Sequence, residues 1–271
     1  MQTTGAASVS TLAKTCYTVI IQPAQMSFAE LLSYVSTLTV FIPFLYSFPG
    51  IKSKNKFLIS LFILLCISIV SSGVTEVYIQ LKGNASVLYF NLYTLLEFIG
   101  VSIVYTSLLP QWKNGIYLIV VLFITFFAID SYWIEDINTI QDYPLVVESI
   151  IVIAYCIFYF FQSLKNVSHD YSLLNDGKFW VNIAFLSYFV YSIGLFAIVN
   201  HIFTNLEPAT AQALWNIHNT NYIVKNLLLA FGAYRLSNVS RPPFELFGAD
   251  ENWWQRLPPN PQKDVSTPTQ G

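Results

Sequence analysis

Residues 116–129 read IYLIVVLFITFFAI, and residues 59–70 read ISLFILLCISIV. Neither stretch carries a charge, and neither alternates polar with apolar side chains. A transmembrane β-strand needs that alternation over about ten residues. A helix crossing the roughly 30 Å hydrocarbon layer needs about 20 mostly apolar residues and satisfies its backbone within its own segment. Both runs therefore read as the centres of transmembrane helices. Outward from them, similar runs predict seven spans, near 27–48, 56–79, 87–109, 115–134, 143–164, 178–204 and 210–235. The expected fold is all-α, a bundle of seven transmembrane helices.

The composition agrees. Of 271 residues, 55% are hydrophobic and only 10% charged, against about 25% charged in soluble domains. Such a chain cannot cover a water-facing surface, which excludes a soluble enzyme. A net charge of -2 gives no footprint for a nucleic-acid partner. The lipid bilayer is the first partner the sequence implies.

Basic residues set the expected orientation. Lys52, Lys54, Lys56, Lys113, Lys165 and Lys178 fall in one set of connections, joined by Arg235, Arg241, Arg256 and Lys263 near the C-terminus. The other side holds Lys14 and Lys82, with Asp130, Glu135, Asp136 and Asp142 between the fourth and fifth spans. The C-terminus is expected in the cytoplasm and the N-terminus outside. The compartment that fits is a plasma membrane, with compact loops pointing to a bacterial inner membrane. Trp112, Trp133 and Trp180 fall near span ends, as interfacial aromatic belts do.

Three regions follow: an extracytoplasmic segment over 1–26, the membrane domain over 27–235, and a tail over 236–271. The first lacks the basic start and long apolar stretch of a signal peptide. Pro242, Pro243, Pro258, Pro259 and Pro261 give the tail a disordered composition. Its Phe244, Leu246, Phe247, Trp253 and Trp254 would suit an interfacial anchor, or docking to a cytoplasmic or membrane protein partner. Cys16, Cys66 and Cys156 are too scattered for a metal knuckle or disulfide framework. No catalytic or metal-ligating set emerges.

Ionisable groups within spans are costly and usually face the bundle interior with a partner. The seventh span is the most polar: Trp215, Asn219, Tyr222 and Asn226 share one helical stripe, with His218 and Lys225 on its shoulder. On the third span Tyr93, Glu97 and Gly100 share a face, and depth permits a Glu97–Lys225 pair. Glu148 lies in the outer part of the fifth span, His201 closes the outer end of the sixth, and Tyr191 lies mid-span in the sixth. The expected site is an outward-opening polar cavity for a small ligand or ion. Glu148, His218 and His201 stand at its mouth. Tyr93, Glu97, Tyr222 and Lys225 form its floor, and Tyr191, Asn219 and Asn226 complete the lining.

These features predict a receptor- or sensor-type membrane protein that relays binding to a partner. The alternatives are a proton-coupled transporter, an intramembrane metal-dependent hydrolase drawing on His201, His218, Glu148 and Glu76, and a structural subunit with a merely architectural polar core. A fourth follows from a likeness. Seven spans, an outer N-terminus and the Asn221-x-x-x-Lys225 segment in the last helix, with Glu97 in the third, resemble the microbial rhodopsins. That resemblance implies a retinal Schiff base on Lys225, its one cofactor-binding residue, with Glu97 as counter-ion. The position four residues before the lysine is acidic in that family and is Asn221 here.

Overall fold

The computed structural model describes residues 27–82, 87–136, 139–165 and 173–239. The N-terminal segment 1–26 and the tail from 240 onward lie outside the described residues. All regular structure in the described chain is helical: α1 (Phe28–Thr39), α2 (Phe41–Ser47), α3 (Pro49–Ser53), α4 (Lys56–Lys82), α5 (Val87–Leu108), α6 (Lys113–Ile129), α7 (Asp142–Lys165), α8 (Gly177–Phe196), α9 (Val199–Asn205) and α10 (Pro208–Val239). Short 3-10 turns at Pro110–Trp112 and Leu173–Asn175 precede α6 and α8, and one π-type turn, Asp130–Ile134, extends α6.

Six stretches are long and apolar enough to cross a membrane: Phe28–Lys52, Lys56–Tyr78, Val87–Leu108, Pro110–Ile134, Asp142–Lys165 and Gly177–Phe196. The protein is accordingly a multi-pass membrane protein by the length and composition of its helices. The last helix, α10, has the length at 32 residues but not the apolar composition. Asn216, His218, Asn219, Thr220, Asn221 and Lys225 all fall within it.

The first predicted span, 27–48, is divided into α1 and α2, and α3 follows it. Pro43 sits in the first turn of α2, where its missing N–H costs nothing, and Pro49 opens α3. Lys54 then adopts a left-handed conformation with φ 54°. Asn55 follows, and its Oδ1 accepts from the backbone N–H groups of Phe57 and Leu58 at 3.1 and 3.4 Å, capping α4. The predicted sixth span, 178–204, is likewise two helices. The chain turns at Ala197–Ile198, and α9 starts afresh with the Asn200 N–H donating to Asp142 Oδ1 at 3.0 Å. The seventh ends later than expected, because α10 continues to Val239.

Helices adjacent in sequence pack side by side, and α10 closes the ring on α1 and α2. Between α8 and α10 the backbones come very close. A Cβ on Gly232 would lie 2.7 Å from both the Gly177 carbonyl oxygen and Val181 Cγ2, a small-residue contact that lets membrane helices approach. Among neighbouring spans, α6 and α7 touch least, leaving an apolar groove of about 760 Å³ lined by residues such as Ile119, Phe123, Ile151 and Phe158. Helix α5 contacts α4, α6 and α7, so it sits toward the centre. Its Phe98 is fully buried against Phe123, ring centroids 4.0 Å apart.

Candidate functional site

The most polar helix turns its polar side chains inward in three directions. Asn219 and Asn226 face the first helix: Ser36 Oγ donates to Asn219 Oδ1 at 3.5 Å, and Asn226 Nδ2 donates to Thr39 Oγ1 at 3.0 Å. Asn221 faces α8, donating from Nδ2 to the Tyr188 carbonyl at 3.0 Å and to Ser192 Oγ at 3.1 Å. Lys225 points to the bundle centre. The outward stripe carries Ile217, Val224, Leu227 and Phe231, together with the exposed Thr220 and, nearer the start of the helix, Gln212, which donates to Asn216 Oδ1 at 3.2 Å.

At the centre, Lys225 Nζ lies 3.1 Å from Glu97 Oε1. Two tyrosine rings flank the ammonium, Tyr188 at 4.0 Å and Tyr222 at 4.1 Å from their centroids. Cation–π contact of this kind is stronger when desolvated. A second carboxylate, Glu148 from α7, stands within electrostatic reach of both Glu97 and Lys225. Its Oε1 is buried without a hydrogen-bond partner. Tyr93 joins from α5, 3.4 Å from Ser68 Oγ of α4. Fully ionised, the three charged groups carry one excess negative charge, so the lysine has two carboxylates, on different helices, with which it can pair.

His218 lies two turns from Lys225 on the same helix. It stacks on Trp215 at 4.5 Å and meets Phe196, Tyr188 and Tyr222 at 5.6, 5.8 and 6.4 Å. Its Nδ1 is buried and unpartnered.

Two corrections to the sequence reading follow. The site is closed rather than an open mouth: Glu97, Glu148 and Lys225 are 7%, 1% and 4% exposed. Aromatic rings from α8 and α10 fill the space in which an outward cavity was expected. Two proposed lining residues also stand apart. Tyr191 is 71% exposed on the outer surface of α8, because the turn of that helix gives the inward face to Tyr188 and Ser192. His201 is exposed on α9 and contacts Asn205 Nδ2 at 3.1 Å, within its own helix. The break at Ala197–Ile198 turns it away from the core.

Sequence reasoning missed two further polar networks. Tyr105 OH donates to Asn182 Oδ1 at 2.7 Å and lies 2.9 Å from Cys156 Sγ, linking α5, α7 and α8. The signal was an uncharged polar residue, Asn182, inside an apolar run. At the opposite end, Asn91 Nδ2 donates to the Thr139 carbonyl at 2.9 Å, and Asn91 Oδ1 accepts from Gln141 N at 3.3 Å.

Among the described residues, no group of three or more His, Cys, Asp or Glu side chains is placed to hold a metal ion. No family model, no curated protein and no solved structure matches the chain.

Proposed function

We propose that this chain is a seven-helix receptor- or sensor-type membrane protein whose buried Glu97–Lys225 pair, with Glu148 beside it, is the responsive element. Helix α10 is the seventh span in this reading. Its Asn219, Asn221, Lys225 and Asn226 side chains are covered by the bundle, and from Ile217 to Phe231 its exposed residues are apolar apart from Thr220. The distribution of Lys and Arg supports an outer N-terminus and a cytoplasmic C-terminus in a plasma membrane.

The observation that carries the reading is one ammonium paired with Glu97, with a second buried carboxylate, Glu148 of another helix, within electrostatic reach of both. Lys225 pairs with Glu97 of α5 in the structure, and Glu148 of α7 is its alternative partner. A ligand or ion at His218 and Glu148 that favoured one pairing would shift α10 relative to α5 and α7. Such a shift requires different contacts in the two states. A helix displacement is then available to a partner protein on the cytoplasmic side, where the aromatic tail begins.

Hydrogen exchange on the full chain in nanodiscs tests the relay. Neutralising the pair with Glu97→Gln and Lys225→Met together should alter exchange at the cytoplasmic ends of α5 and α10 while the fold persists. Unchanged exchange there, with the fold intact, overturns the reading.

A second reading, a proton-coupled carrier, draws on Glu148, since buried carboxylates serve as proton relays in membranes. Solute uptake into proteoliposomes driven by a pH gradient, and abolished by Glu148→Gln, would favour it.

A further inference from the structure

The end of the bundle remote from the basic connections is tied together by side chains. Helix α6 runs on through the π-type turn, closed by Glu135 N–H donating to the Asp130 carbonyl at 2.9 Å. The Glu135 carboxylate accepts from Asp142 N at 3.3 Å and Tyr143 N at 3.4 Å, capping α7. Asp142 in turn accepts from Asn200 N of α9 at 3.0 Å. Gln141 Nε2 donates to Ser131 Oγ at 2.7 Å, and Asn91 ties α5 to the same segment. Four helices meet in this clasp.

At its centre is Asp130, whose side chain is completely buried. No protein donor reaches either of its carboxylate oxygens. The carboxyl group of Glu135 lies within hydrogen-bonding reach of it. Two ionised carboxylates are acceptors only, so they bond to each other only when one holds a proton.

We propose that Asp130 and Glu135 form a proton-binding site, and that the proton they share keeps the clasp, and with it the core below, closed. Loss of the proton leaves two like charges in contact. Asp130 has no room to turn outward, so Glu135 swings away and releases the first turn of α7. Both core carboxylates hang from this clasp at equal depth. Glu97 lies six residues along α5 from Asn91, and Glu148 six along α7 from Asp142, each about 9 Å at 1.5 Å per residue. Opening the clasp therefore uncovers the closed core from above.

Other titratable groups nearby do not replace the proton. Asp142 of α7 is acidic and committed to Asn200, Asp136 follows Glu135 in the connection, and His201 of α9 is exposed against Asn205. Burial and the Asp130 carboxyl push Glu135 up to about 7, so the site titrates within the range an outer membrane surface meets. The regulatory consequence rests on the reading of the core given above; the proton site itself does not.

Infrared difference spectroscopy of the full chain in nanodiscs, stepped from acidic to alkaline pH, tests the proposal. The expected result is a protonated-carboxyl band lost with a midpoint near 7, absent from both Glu135→Gln and Asp130→Asn. In Glu135→Gln the amide donates to Asp130 in place of the proton, so the clasp stays shut and the variant folds. The Glu97→Gln/Lys225→Met double variant keeps the band, which separates failure of the proton site from failure of the core reading. A band that persists in Glu135→Gln and Asp130→Asn, that vanishes in the core double variant, or whose midpoint follows added Ca²⁺ overturns the proposal. As a second measurement, hydrogen exchange over 139–145 in the wild-type chain, corrected for intrinsic rates, should rise across the same midpoint. Constant exchange overturns it as well.

Discussion

Lys225 of α10 and Glu97 of α5 are 128 positions apart in the chain and 3.1 Å apart in the fold, sealed from solvent by Tyr188 and Tyr222. Desolvating two charges offsets much of their attraction, so such a pair adds little net stability, yet leaving one partner alone is costly. The pair therefore fixes the register of α10 against α5 more than it holds the bundle together.

Lys225→Met alone should destabilise the protein by about 3–5 kcal/mol, because Glu97 and Glu148 are then buried without a cation. Adding Glu97→Gln should recover most of that loss. Reversible unfolding in mixed micelles, arranged as a double-mutant cycle, measures both values. Equal losses in the single and double variants would show that packing by the lysine stem, not charge, matters.

Gly232→Ala should destabilise by about 1–3 kcal/mol, the range for overpacking, since its Cβ would meet the Gly177 carbonyl oxygen and Val181 at 2.7 Å. The matched control is Gly194→Ala in α8, where nothing lies within 4 Å. That change should stabilise by about 0.5–1 kcal/mol through backbone entropy. Thermal unfolding of the two variants checks the sign of each.

The polar contacts of α10 with α1 should count for less than the buried Tyr105 bond. Asn226→Ala should cost about 0.6 kcal/mol, the average for interhelical hydrogen bonds in membranes. Tyr105→Phe leaves the buried Asn182 Oδ1 without its donor, while Asn182 Nδ2 keeps the Cys156 carbonyl, and should cost about 1–3 kcal/mol. The same unfolding assay ranks them.

Stability of the clasp should fall as pH rises. Glu135 ionises near 7 in the fold against an ordinary 4.5, so between those values the folded segment holds more protons than the unfolded one. By linkage, its stability is fully present below about 4.5, declines up to about 7 and is level above. Limited proteolysis at the 130–142 connection at several pH values, normalised for protease activity, should show cleavage increasing over that window. Cleavage that decreases instead would reverse the sign and contradict the assignment.

The spans were legible because long apolar runs admit few alternatives; their breaks were not read, although proline marks one of them. Pro43 marks the divided first span; the turn at Ala197–Ile198 has no such mark, being held by Asp142 from another helix. Glu97 and Lys225 stood out because a charge at bilayer depth needs a partner, and shared depth pointed each to the other. Closure of the site was not legible. It depends on which rotation of α8 presents Tyr188 rather than Tyr191, a packing decision made with α10 at Gly177 and Gly232. The same holds for Asn219 and Asn226: periodicity places them on the stripe of Lys225, and only assembly shows that the first helix claims them. In the 130–142 segment the acidic residues were plain, but their pairing needed the π-type turn.

The central claim, that the core around Lys225 and His218 receives a ligand, is tested most directly by native mass spectrometry of the detergent-purified full chain beside its Lys225→Ala and His218→Ala variants. The account predicts a discrete added mass on the wild-type protein that both variants lose, and the mass itself identifies the ligand's class. A bare wild-type chain at saturating exposure to a cell extract, or an adduct indifferent to both substitutions, would contradict it.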